Sequence, residues 1–195
     1  MDHHVIIPCL YYSKKFGSDA INIPIVISPK TDGQSYVDTE LENHLFGPKG
    51  ARIFFDVIRY AIETRVETAR KVRFSLSEMG SSVCREHNFL LYGNSIGFPL
   101  LAGIHLFDSG KAWPRCCIAS GQLFYKRGQI VSVGAASQKL HYCVKHLPPS
   151  GQLFLPQSNV RGLKRSKIWQ SAPVVSLPLR IDAGIALMLE KAGSE

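Results

Sequence analysis

Gly93-Asn94-Ser95-Ile96-Gly97 places a serine between two glycines, and apolar runs flank it at residues 88–92 and 98–107. This pattern predicts a strand, a tight turn and a helix, with Ser95 at the start of the helix. The two glycines would let the backbone bend sharply and leave the hydroxyl uncovered. Backbone N–H groups at a helix start suit a developing oxyanion. Serine is also a preferred helix cap, so this stretch alone does not separate a nucleophile from a cap.

The composition of the chain is that of a globular protein. Its 195 residues are 45% hydrophobic and 19% charged, which argues against disorder. A chain of this length can bury roughly 70% of the surface that its unfolded form exposes. We therefore predict one domain over residues 1–195, with the N-terminal ~20 residues as an extra strand or arm.

Other features of the sequence limit the compartment, the cofactors and the partners that we expect. No apolar run reaches the ~18 residues of a membrane-spanning helix, and no signal peptide is evident, so we predict a cytoplasmic protein without membrane contact. Five cysteines without a C-x-x-C pair favour reduced, mostly buried thiols, and no zinc spacing recurs, so neither metal nor cofactor is predicted. The net charge of +8 permits attraction to nucleic acid, but the densest basic stretch, residues 161–167, lacks interleaved aromatic residues and is interpreted as solvated surface. The cysteines are Cys9, Cys84, Cys116, Cys117 and Cys143.

Local periodicity predicts alternating strands and helices. Val72, Phe74 and Leu76 alternate, but we extend the preceding helix through them and end it at Gly80-Ser81-Ser82. Interspersed elements of both kinds predict an α+β fold of mixed β-sheets packed with helices. Strands are predicted at residues 5–12, 23–27, 116–119, 128–134, 153–155 and 174–179. Helices are predicted at residues 51–70, 98–107, 135–146 and 182–191, the last capped by Asp182.

Three interpretations of Ser95 are open on the residues alone. Gly-x-Ser-x-Gly matches the nucleophile elbow of α/β-hydrolases, with Asp108 and then His141 or His146 in the required order, although too little chain remains for the intervening strands. A Ser-Lys dyad would use Lys139, because small neighbours would let its helix pack tightly and burial would lower the pKa of the amine. The third interpretation is a capping serine and a lysine that extends to water.

The order of motifs from about Pro24 to Leu189 resembles the proteolytic domain of the Lon protease family. Its nucleophile motif, its Thr-Gly-Glu stretch, the glycine-bounded strand that follows, its Glu-Lys-Leu segment and its Pro-x-x-Asn segment all have counterparts here. The separation of Ser95 and Lys139 (139 − 95 = 44 residues) is also close to that of the family. The counterparts are Gly93-Asn94-Ser95-Ile96-Gly97, Ser120-Gly121-Gln122-Leu123, Gly128-Gln129-Ile130-Val131-Ser132-Val133-Gly134, Gln138-Lys139-Leu140 and Leu153-Phe154-Leu155-Pro156-Gln157-Ser158-Asn159.

The resemblance implies a Lon-type proteolytic domain and a serine endopeptidase that acts on polypeptides. Ser95 would attack the peptide carbonyl, and Lys139 would take its proton. Ser120 stands where the family's threonine positions that lysine, and Gly93, Asn94 and Ile96 would support the nucleophile. The resemblance also implies a homo-oligomeric ring. No Gly-x-x-x-x-Gly-Lys-Ser/Thr loop is present, so we expect ATP-independent action or a separate or excised ATPase module.

Four residues depart from the family pattern. Tyr92, Ile96, Gln122 and Ala135 stand where the family carries an acid, an alanine, a glutamate and a glycine, and Ile96 is expected to narrow the substrate cleft. These departures keep an alternative open. It is a catalytically silent Lon-like module for assembly or nucleic-acid association, for example in a Lon-related phage-defence protein, and the net charge of +8 suits it.

Overall fold

A computed structural model describes residues 3–13, 19–91, 93–164, 169 and 174–194. Within them the chain is an α+β protein with several small sheets. No helix of this described part is long and apolar enough to cross a membrane. The strands are β1 (Val5–Ile7), β2 (Leu10–Tyr12), β3 (Ala20–Asn22), β4 (Ile25–Pro29), β5 (Val72–Leu76), β6 (Cys117–Ala119), β7 (Gln122–Phe124), β8 (Gln129–Val131), β9 (Gln152–Pro156) and β10 (Val174–Leu177). The helices are α1 (Thr39–Asn43), α2 (Gly47–Glu63), α3 (Glu78–Glu86), α4 (Gly97–Asp108), α5 (Ala136–His146), α6 (Gln157–Leu163) and α7 (Ile181–Gly193).

An antiparallel sheet, in the order β1–β4–β5, packs one face into the main core. Val72, Phe74 and Leu76 of β5 are buried, while Arg73 and Ser75 between them are partly exposed. The prediction that residues 72–76 continue a helix is therefore wrong. Alternate burial is the pattern of a strand with one covered face, and pairing with β4 supplies the hydrogen bonds.

A parallel sheet, in the order β10–β9–β6, positions the candidate site. Leu153, Phe154 and Leu155 of its central strand β9 are fully buried, as expected for a parallel strand covered on both faces. Ser120 directly follows β6, and its N–H donates to the carbonyl of Phe154 at 3.0 Å. Ser120 therefore lies at the carboxyl end of the sheet, where functional side chains of such sheets commonly meet.

Helix α4 follows the glycine-flanked serine and is almost wholly buried, as its continuous apolar sequence predicts. It packs against α2, α7 and β1. A Cβ atom at Gly103 would lie 2.3 Å from Cδ1 of Ile7, so a larger residue there would require the buried Ile7 side chain to move. The core thus fixes the position of the helix that begins beside Ser95.

The N-terminal residues contribute two strands where one was predicted. Residues 5–12 divide into β1, which joins the main sheet, and β2, which forms a hairpin with β3. Pro8 lies at the break, where it has no N–H to donate to a ladder. Leu10 and Ala20 of the hairpin pack in a second core cluster with Leu140 and Cys143 of α5.

Several other predicted boundaries are corrected. Helix α2 ends at Glu63 rather than at residue 70, because the chain turns at Arg65 with φ of 65°. Gly80-Ser81-Ser82 lies inside α3 instead of ending an element. In residues 88–91, Leu91 forms an isolated bridge with Leu45 and no strand is present, while Tyr92 lies outside the described residues.

The last helix begins one residue earlier than predicted. Asp182 lies in the first turn of α7, and Arg180 occupies the cap position. The connection at residues 28–49 also contains α1, which is capped by the Asp38 side chain. The predicted helices after Ser95 and at residues 135–146 are confirmed, as are strands within residues 116–119, 128–134 and 153–155.

Candidate active site

The serine turn is built on one unusual glycine. Gly93 has φ of 127° and ψ of 144°, a conformation that a side chain at Cβ disfavours. Residues Asn94–Ile96 then form a 3-10 turn that runs directly into α4. Gly97 has ordinary helical angles (φ −57°, ψ −48°), so the prediction that both glycines bend the chain holds for Gly93 alone.

The two residues that follow β6 hold this turn in place through hydrogen bonds. The Gly121 N–H donates to the carbonyl oxygen of Ser95 at 2.8 Å, and the Ser120 hydroxyl donates to the same oxygen at 3.2 Å. The N–H of Phe98 in turn donates to the carbonyl of Gly121 at 2.9 Å. Backbone bonds on both sides of Ser95 therefore hold it in register with Ser120.

Lys139 is buried beside these serines. Its side chain is 2% exposed, and its amine donates to the Ser120 hydroxyl at 2.7 Å. Burial lowers the pKa of this amine from 10.5 to about 8. Cys9 and Cys143 would raise the pKa of Lys139, but only as thiolates, and burial raises the pKa of both thiols to about 12. Near neutral pH the two thiols therefore give the ammonium form no counter-charge.

The hydrogen bonds around Lys139 suit a neutral amine. The hydroxyl of Ser120 has one proton, which goes to the Ser95 carbonyl, and it accepts a proton from Lys139. A neutral amine has two N–H bonds and one lone pair, so donation to Ser120 leaves the lone pair free to accept a proton. An ammonium group would instead need acceptors for three N–H bonds in a buried position.

Ser95 and Lys139 line one cleft of about 730 Å³. Gly93 and Asn94 line it as well, which brings together four of the six residues singled out in the sequence. The other two are Ser120, which is 1% exposed and out of reach of a peptide, and Ile96. Ile96 is buried in the main core, so the expectation that it narrows the cleft is wrong.

Lys139 bonds directly to Ser120, whereas Ser95 contributes its carbonyl to this chain of hydrogen bonds and not its hydroxyl. Exposure separates the roles that the two serines can play. Ser95 is partly exposed at the cleft, so its hydroxyl can meet a substrate, while Ser120 is enclosed between the lysine and the Ser95 turn. Ser120 can therefore orient the amine, and Ser95 can act as the nucleophile.

Asn159, the last residue of the Pro-x-x-Asn segment, is a positioning residue for which no role was predicted. Its side-chain oxygen accepts from the Val133 N–H and its amide donates to the Val133 carbonyl, both at 2.9 Å. This pairing holds the segment that leads through Ala135 into α5. Ala135 has φ of 53°, so the position where the family carries glycine is one that glycine would fit better.

The N-terminal hairpin also contributes to the site, and no local pattern in the sequence indicated it. Tyr11 and Tyr12 of β2 line the cleft, and Cys9 lies close enough to influence the pKa of Lys139. The Tyr11 hydroxyl is buried without a hydrogen-bond partner among the described residues. The burial of Lys139 thus depends on a hairpin that is distant in sequence.

The hydrolase alternative has no assembled triad. Asp108 accepts from the hydroxyl of Thr68 at 2.7 Å, His141 faces Asp19 at 3.5 Å, and the tilted rings of His146 and Tyr142 have centroids 4.5 Å apart. Asp108 and the two histidines therefore contact other residues and do not form a triad with Ser95.

Other candidate groups can be placed only in part. Four cysteines are buried and Cys116 is exposed, and none forms a disulfide. In the described part of the chain, no three His, Cys, Asp or Glu side chains come together as a metal site requires. Arg161 and Lys164 of the basic stretch are exposed, and residues 165–168 lie outside the described ranges.

No protein-family model matches the chain, and no curated protein matches it.

Proposed function

We propose that the protein is a Lon-like serine peptidase that hydrolyses peptide bonds of unfolded or partner-delivered polypeptides through Ser95 and Lys139. The observation that carries the proposal is the buried Lys139 amine. It has a lowered pKa and, among the described residues, one hydrogen bond, to Ser120, and it lies in the same cleft as a partly exposed serine at a helix start. A buried lysine is costly for a fold, and its best-attested use is as a base or nucleophile.

The proposed reaction begins with attack of the Ser95 Oγ on the carbonyl carbon of the peptide. The Ser95 proton passes to the lone pair of the Lys139 Nζ, and the carbonyl oxygen becomes an oxyanion beside backbone N–H groups at the start of the helix. The N–H groups of Gly97 and Phe98 are already bonded, so the donors come from earlier in the turn. The Lys139 ammonium then gives its proton to the leaving amine, and water hydrolyses the ester on Ser95 with Lys139 again acting as base.

Ser120 acts in this scheme as a positioning residue. Its donated proton is committed to the Ser95 carbonyl, so it can only accept from the amine. It thereby fixes the direction of one N–H of Lys139 and leaves the lone pair for the nucleophile. Rotation about the last bonds of the lysine side chain is the movement that this step requires.

Cleavage of unfolded casein tests the proposal. The wild type should cleave it, and Ser95→Ala and Lys139→Met should each reduce the rate by at least about a thousandfold, because dyad members act as a unit. Ser132→Ala and Lys145→Met change an exposed serine and a largely exposed lysine, and they should retain activity. The rate should rise with pH and level off above about 8, the pKa of the proposed base. Cleavage by wild type and Ser95→Ala at equal rates would refute the assignment.

The catalytically silent alternative is motivated by the lost acidic residues and the missing ATPase loop, and the net charge of +8 suits it. It predicts that the wild type leaves casein intact and binds DNA with a strong dependence on salt concentration. Neutralising Lys164, Arg165 and Lys167 should then weaken that binding. The proposed homo-oligomeric ring is tested separately, by the mass of the protein in light scattering after gel filtration.

A further inference from the structure

A second cavity, of about 380 Å³, adjoins the nucleophile turn, and Lys139 does not line it. Asn94 lines both this cavity and the cleft, and Gly97 from the same turn lines the cavity. Strand β7 connects the two as well, because Gln122 lines the cleft and Leu123 lines the cavity. A peptide bond at Ser95 would therefore have a second cavity within one residue of the reacting serine.

Part of the lining of this cavity is apolar. Ile53 and Leu123 line it, and both are almost completely buried. Gly97 presents only its backbone to the cavity. A Cβ atom there would lie 3.4 Å from Cγ of Leu123 and 3.6 Å from Cδ1 of Ile53. Tyr125 forms a wall, and Tyr60 braces its ring with centroids 5.1 Å apart. The volume lies at the small end of ligand pockets and suits one large side chain.

The rim of the cavity carries an excess of positive charge. Both carboxylate oxygens of Asp56 are engaged, one by Arg52 at 3.3 Å and one by Arg59 at 3.1 Å. Lys49 lines the rim, and no ion pair of its amine is found in the described part of the chain. An acidic end group would therefore be attracted to this rim, and a basic one would be repelled.

We infer that this cavity is the specificity subsite of the proposed peptidase. It accepts the side chain of one residue flanking the scissile bond, either a large apolar side chain or glutamate, and it excludes lysine and arginine. The inference rests on the proposed function. It goes further by naming the class of peptide and Lys49 as a residue that sets the preference.

Two measurements test the subsite. The first maps the cut positions in unfolded casein by mass spectrometry, where one flanking position should be enriched in large apolar residues and glutamate and depleted in lysine and arginine. The second compares kcat/KM for two synthetic peptides that differ only by glutamate or lysine at that position. An exposed charge pair changes an equilibrium by about threefold, and Lys49→Glu removes such a pair with the glutamate peptide while it creates one with the lysine peptide. Lys49→Glu should therefore lower the Glu-over-Lys ratio by about tenfold.

The control is Lys71→Glu, which reverses an exposed charge away from the cavity and should leave the ratio unchanged. Lys49 lies in the first turn of α2, where glutamate interacts favourably with the helix dipole, so the variant should fold as the wild type does. A casein cleavage that depends on Ser95 but keeps the same ratio in Lys49→Glu would overturn the subsite and leave the peptidase standing. Absence of any Ser95-dependent cleavage would overturn both.

Discussion

Replacement of Lys139 by methionine, which has a similar shape and no charge, should make the protein more stable at neutral pH. The pKa of the amine falls from 10.5 to about 8 on folding, a difference of about 2.5 units (10.5 − 8). At 1.36 kcal/mol per unit, burying this lysine costs about 3 kcal/mol at any pH below 8. Loss of its hydrogen bond to Ser120 offsets the gain by about 1–2 kcal/mol. Lys139→Met should therefore be more stable than the wild type by about 1–2 kcal/mol at pH 7.

The advantage of Lys139→Met should disappear with rising pH. Between pH 8 and 10.5 the unfolded chain binds the proton of Lys139 and the folded chain does not, so the stability of the wild type rises with pH. Below pH 8 both states are protonated and the cost is constant. Above pH 10.5 both are neutral, and the variant should be the less stable protein because the hydrogen bond is missing.

Urea unfolding at pH 7, 8, 9 and 10, followed by tryptophan fluorescence, measures this difference. The quantity to compare is wild type minus variant, because other groups that titrate in this range affect both proteins alike. Lys145→Met, on the same helix and largely exposed, should give a difference that does not change with pH. A Lys139→Met variant that is less stable at pH 7, or a difference independent of pH, would refute the lowered pKa of the buried amine and with it the proposed base.

Substitutions at four further positions test single features. Ala135→Gly removes a left-handed strain of about 1 kcal/mol, partly offset by chain entropy, and should raise the midpoint of urea unfolding slightly. Tyr11→Phe deletes a buried hydroxyl without a partner among the described residues, so the free energy of unfolding should stay equal or increase by about 1 kcal/mol. Gly93→Ala places a side chain at φ of 127° and should lower the same quantity by about 1–3 kcal/mol. Ser120→Ala should shift the pH–rate profile and lower kcat more than KM rises, and Ser120→Thr, which keeps the hydroxyl, should restore most of the activity because that hydroxyl orients Lys139.

Elements with a strong apolar pattern of their own were predicted correctly from the sequence. The continuous apolar run of α4 and the helix that carries Lys139 were found at nearly their observed positions. Residues 72–76 were misread, since their alternation suits either a short strand or a continued helix until β4 is placed beside them. Phe89 and Leu91 are buried although the described residues 88–91 form no strand, so the apolar character of this stretch predicts burial and not a strand.

The pairing of Ser95 with Lys139 came from the order of motifs, but the state of the lysine could not be predicted from them. Lys139 is buried because the hairpin of β2 and β3 packs on α5, and this contact joins residues more than a hundred positions apart. The role of Asn159 also depends on a contact between distant segments, because its side chain hydrogen-bonds the backbone of Val133. Tertiary contacts of this kind produce no periodic pattern in the sequence.

Gln122 shows how a departure from the family pattern can agree with the proposed chemistry. It lines the cleft where the family carries a glutamate, so the negative charge expected there is absent. A carboxylate near Lys139 would favour the ammonium form and raise the pKa of the amine. Burial beside protonated thiols instead keeps that pKa near 8, where a measurable fraction of the lysine is a free base at neutral pH. In the proposed mechanism the loss of the acid therefore tunes the base and does not disable it, and Gln122→Glu should move the pH dependence of cleavage to higher pH. An unchanged or lower apparent pKa in that variant would show that residue 122 does not influence Lys139.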